Sequence, residues 1–124
     1  MSKKRIVIIC PGRGSYTRET SNYLKEYGAS VIESIQWMDD QREAQGLLSL
    51  TNLDRQNFKA RTHMVGENAS SLIYACSFSD FMSIDRNKYE IVSVLGNSMG
   101  WYTALVLSGS CLLYTSPSPR DRLL

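Results

Sequence analysis

The sequence predicts an α/β fold in which parallel strands are joined through helices. Three observations carry this reading. Two short β-branched apolar runs, "RIVIIC" at 5–10 and "YEIVSVLG" at 89–96, have the composition of strands buried on both faces. The chain between them is largely helical in pattern, and a strand–helix–strand passage in one sheet implies a right-handed parallel crossover. A turn and a second apolar segment follow the later run, so the order is strand, helices, strand, helix.

Each element has a local reason. "PGRGSYTR" at 11–18 holds a proline and two glycines and reads as a loop. Residues 19–27 predict a short helix stopped by Gly28. Ser30 and Glu33 have capping-box spacing, and Val31, Ile35 and Met38 then share one stripe, so a helix is expected to about Ala44, closed by Gly46. A loop and a short helix around Asp54–Ala60 are expected in 47–65. From Glu67 to near Met82 a longer helix is expected, with Ala69, Leu72, Ile73 and Cys76 at core-facing spacing. "SIDRNK" is a turn, and 98–109 is apolar nearly all round, which predicts a buried helix.

Bulk properties narrow the function classes. The chain has 124 residues, a formal net charge of +2 and 43% hydrophobic residues. That suits one small globular domain and gives no argument for nucleic acid or an anionic membrane. No apolar run approaches the roughly 18 residues of a membrane span, and "RIVIIC" is too short for a signal-peptide core, so a cytoplasmic location is expected. Cys10, Cys76 and Cys111 show neither disulfide-framework nor zinc-ligand spacing, and no metal is expected. The end of the chain differs in kind. "LLYTSPSPRD" resembles a string found at the ends of unrelated metagenomic translations, where adapter DNA has been read as coding sequence. Residues 1–110 are therefore expected to be the native part, and 111–124 a non-native or disordered tail.

The chemistry lies in "VLGNSMGWYTAL" at 94–105. Gly96-Asn97-Ser98-Met99-Gly100 reads G-x-S-x-G between a strand and a helix. Chance alone places this pattern in about 4% of chains this long, so its context carries the argument. In a nucleophile elbow the serine occupies strained backbone, and the residues two before and two after it must be small because strand and helix pass close there. Gly96 and Gly100 hold those places, and the Met99 N–H is the expected oxyanion donor. A serine nucleophile needs a base. The single histidine, His63, precedes the elbow, whereas hydrolases of this type run serine, acid, histidine; a structural role is expected for it.

Two motifs together extend the reading. "CPGRGSY" near the N-terminus, followed by "GNSMGWYTAL", resembles the F-P-G-Q-G-S-Q and G-H-S-L-G-E-Y-x-A-L patterns of malonyl-CoA:acyl carrier protein transacylases and of the acyltransferase domains of fatty-acid and polyketide synthases. "GENASSLIYACSFSDF" also resembles the family's helix before the elbow strand. The resemblance covers 5 to about 109. It implies part of an α/β-hydrolase-like large subdomain, with the ferredoxin-like small subdomain missing. It implies transfer of malonyl from coenzyme A, as substrate and not cofactor, to acyl carrier protein through an acyl-Ser98 intermediate. The family's base histidine and carboxylate-binding arginine would lie beyond the native end, so an inactive fragment is expected. By motif position Gly12, Arg13 and Gly14 border the oxyanion and substrate region with Met99. Three residues depart from the pattern: Arg13 for glutamine, Asn97 for histidine and Trp101 for glutamate. Arg13 brings a guanidinium that suits an anionic acyl group or a phosphate. The alternatives are a serine thioesterase or esterase, a phosphate-binding module using "PGRGS", and a non-catalytic carrier-protein binder.

Overall fold

The computed structural model describes residues 2–109. Two strands, β1 (Lys4–Cys10) and β2 (Tyr89–Gly96), pair in parallel. Between them run α1 (Tyr23–Tyr27), α2 (Ile32–Ala44), α3 (Leu50–Arg55), α4 (Ala60–His63) and α5 (Gly66–Met82). The last described helix is α6 (Gly100–Leu107). The chain is thus mixed α/β with parallel strands. The tail reading for 111–124 falls outside the described residues.

The register runs Ile6↔Ile91, then shifts so that Ile8 pairs with Val94 and Cys10 with Gly96. The shift keeps one face consistent. Ile8, Ile91 and Val94 pack against the core, with Cys10 buried in it beside Leu72, Ile73, Ala104 and Leu107. The other face is bare: Val7, Ile9, Val92 and Leu95 are exposed, Ile9 by 68%. The strands are therefore covered on one face by the described residues, not on both as their composition predicts. In the same way α6 buries Thr103, Ala104, Val106 and Leu107 but exposes Trp101, Tyr102 and Leu105. Apolar composition states what a surface wants to bury, not what covers it.

Three boundaries differ from expectation. Ser30 does not cap α2, because it sits inside a 3₁₀ turn, Ala29–Val31, and the helix follows Val31 with no side-chain cap. The short helix expected at 54–60 is replaced by α3 and α4 on either side of an extended step at Gln56. Polar contacts draw α3 forward: Ser49 Oγ accepts from Asn52 N–H at 3.1 Å, and the Asp39 carboxylate accepts from Leu50 N–H at 2.6 Å and Thr51 O–H at 2.6 Å. The final helix begins at Gly100, not Ser98, because Ser98 has φ of 57°, outside helical backbone.

Buried Arg42 ties the helices together. Its guanidinium donates to the Leu48 carbonyl at 2.7 Å, to the Glu67 carbonyl and Ser71 Oγ at 3.1 Å, and to Asn68 Oδ1 at 2.5 Å. Asn68 passes the link on, donating to the Thr62 carbonyl at 2.8 Å. A buried cation is tolerable only when its donors are spent in this way.

Candidate active site

The ends of β1 and β2 meet at Ser98. Asn97 N–H donates to the Cys10 carbonyl at 3.0 Å, joining the two strand ends just before the serine. The chain then reverses: Gly100 N–H donates to the Asn97 carbonyl at 3.0 Å and Trp101 N–H to the Ser98 carbonyl at 3.1 Å. Ser98 is left at φ 57°, one of two non-glycine residues with positive φ among the described residues. Such backbone costs on the order of 1–3 kcal/mol and persists only where surrounding contacts fix it.

Glycines make the turn possible through close approach. A Cβ on Gly96 would collide with the Trp101 nitrogen and the Gly100 backbone. On Gly100 it would collide with the Cys10 carbonyl and stand 2.8 Å from the Pro11 carbonyl oxygen. On Gly12 it would stand 2.6 Å from the Asn97 carbonyl oxygen and 3.3 Å from Ser98 Cβ. Gly12 thus brings the 11–16 loop against the serine. Ser98, Met99, Gly12, Gly96 and Gly100 come together as the motif predicts. Ser98 is exposed, and its hydroxyl has no hydrogen-bond partner among the described residues. The Met99 N–H donates to none of them, which leaves it free for a developing oxyanion.

The loop is fixed at both ends of its turn. Ser15 Oγ donates to the Gly12 carbonyl at 2.5 Å, and Gly14 takes φ of 92°. Tyr16 is buried and donates from its hydroxyl to Asp54 Oδ1 at 2.9 Å. Burial, with the Asp54 carboxylate beside it, pushes the Tyr16 phenol well above its ordinary range. The second Asp54 oxygen accepts from Lys25 N–H at 3.2 Å. Arg13 stands exposed between Gly12 and Gly14. Its Nη2 lies 3.8 Å from where a Gly66 Cβ would stand, at the start of α5, and it pairs with no described residue.

His63 is elsewhere in kind. It is 0% exposed. Its Nδ1 accepts from Lys59 N–H at 3.0 Å, which assigns the ring proton to Nε2, donating to the Leu53 carbonyl at 2.8 Å. The ring stacks on Phe58 and on Tyr16, with centroids 5.1 and 6.1 Å away. Both nitrogens are spent, so His63 has no lone pair for a serine proton. It buttresses the Tyr16 anchor of the loop. Sequence reasoning missed this support of Tyr16, Asp54 and His63; the only trace of it was a lone tyrosine where the family pattern has glutamine.

Beside the loop, a groove of about 320 Å³ follows β1 and α5, lined by Ile8, Cys10, Pro11, Ile73, Cys76 and Phe81 among others. Its thiols are quiet: burial pushes Cys76 up to about 12. Among the described residues no histidine, cysteine or carboxylate cluster could hold a metal, and no helix is long and apolar enough to cross a membrane. The chain matches no protein-family model, no curated protein and no solved structure.

Proposed function

We propose that Ser98 is the nucleophile of an acyltransferase that moves malonyl, or a related acyl group, from coenzyme A to acyl carrier protein. The fold in this reading is part of an α/β-hydrolase-like large subdomain. One observation carries the proposal: an exposed serine held at φ 57° on a strand-to-helix turn, with Gly96, Gly100 and Gly12 closing around it.

In the first half-reaction Ser98 Oγ attacks the thioester carbonyl while a general base takes its proton. Negative charge gathers on the carbonyl oxygen, where the Met99 N–H stabilises it. The carbon–sulfur bond breaks, and the coenzyme A thiolate leaves with the proton held by the base. In the second half the phosphopantetheine thiol attacks the acyl-serine ester, Oγ recovers a proton, and the acyl group departs as a new thioester. His63 is fully hydrogen-bonded, so the base comes from outside residues 2–109.

Partition of the acyl group tests the reaction class. With malonyl-CoA, acyl carrier protein and imidazole as an exogenous base, the proposal predicts malonyl on the carrier thiol. Release of free malonate at the same rate with or without carrier protein would instead make the protein a thioesterase.

A further inference from the structure

We propose that Arg13 reads negative charge on the acyl group, making the site selective for carboxylated over neutral acyl thioesters. The inference rests on the acyl-transfer reading and goes beyond it by assigning the discrimination to this residue.

Position is the first argument. Arg13 directly follows Gly12, whose Cα lies against Asn97 and Ser98. The turn that presents it is fixed by the Ser15–Gly12 hydrogen bond, by Gly14 in left-handed backbone and by Tyr16 bonded to buried Asp54. The second argument is that the guanidinium is unspent. The buried Arg42 shows how this fold treats a structural arginine: its bonds go to two carbonyls, a hydroxyl and an amide oxygen. Arg13 makes no hydrogen bond and no ion pair with any described residue, Glu67 included. The third is space. Gly66 offers no side chain where Arg13 Nη2 approaches, so the arm has room over the start of α5.

The chemistry follows from those three. A malonyl ester on Ser98 carries its carboxylate one methylene beyond the ester carbonyl. An arginine can meet a carboxylate with two parallel N–H donors, which rewards a charged acyl group and gives nothing to a neutral one of similar size. Lysine keeps the charge without the fork.

Calorimetric titration of the chain with malonyl-CoA and acetyl-CoA separates the possibilities. Unaltered protein is expected to prefer malonyl-CoA by about tenfold, the scale of one charge-assisted contact. Arg13→Gln is expected to bring the two affinities together, and Arg13→Lys to keep part of the difference. Because Arg13 is exposed, neither change threatens folding. A preference unaltered in Arg13→Gln overturns the proposal, as does equal binding by the unaltered protein; both leave the acyl-transfer reading standing. An equal loss for both thioesters also overturns it, by placing Arg13 on the coenzyme phosphates. Failure of either thioester to bind the unaltered protein overturns the acyl-transfer reading itself.

Discussion

His63 and Ser98 are the two residues of this chain most readily suspected of acid–base or nucleophilic work, and their surroundings are opposite. His63 is buried, unstrained and bonded at both ring nitrogens, between two aromatic rings. Ser98 is exposed and strained, with an unspent hydroxyl and an unspent N–H beside it. A group whose bonding capacity is used by the fold supplies stability; one held open against a backbone penalty is available for chemistry. The comparison also separates the roles of the two regions. The packed side around His63, Tyr16 and Asp54 holds the loop, and the loop presents Gly12 and Arg13 to the serine.

That contrast can be broken most forcefully at His63. His63→Ala empties a filled site and leaves the Leu53 carbonyl and Lys59 N–H without the ring. The expected cost is about 3 kcal/mol in urea unfolding. The folded fraction should acylate Ser98 as before; loss of acylation at full foldedness would make His63 the base. At the elbow, Gly100→Ala forces a Cβ onto the Cys10 carbonyl, a backbone atom that cannot swing away. A cost of about 2 kcal/mol is expected, seen as a lowered denaturation midpoint. Ser98→Gly tests the strain itself. Relief of the left-handed backbone should raise stability by roughly 1 kcal/mol while abolishing acylation. A destabilised Ser98→Gly would mean the serine is not held under strain.

Much of this was legible in the residues. The strands at 4–10 and 89–96 follow from two β-branched runs, and the roles of Gly96 and Gly100 follow from G-x-S-x-G between strand and helix. What stayed hidden depends on partners distant in sequence. Asp54 gives no local sign that it will receive Tyr16, 38 residues away in the chain. Arg42 reads as one more charged residue on a polar helix until Asn68 and Ser71 close over it. The bare sheet face was hidden for the opposite reason: Val7, Ile9, Val92 and Leu95 look alike whether or not anything covers them.

The central claim is that Ser98 is the acyl-accepting atom, and intact-mass spectrometry after exposure to malonyl-CoA tests it most directly. Without added base the chain should acylate negligibly, because an unassisted serine hydroxyl is a poor nucleophile at neutral pH. With imidazole present the account predicts a mass gain of one malonyl group, mapped to the peptide containing Ser98 and absent from Ser98→Ala. A malonyl adduct that survives in Ser98→Ala, or none in the folded protein at any imidazole concentration, would contradict it.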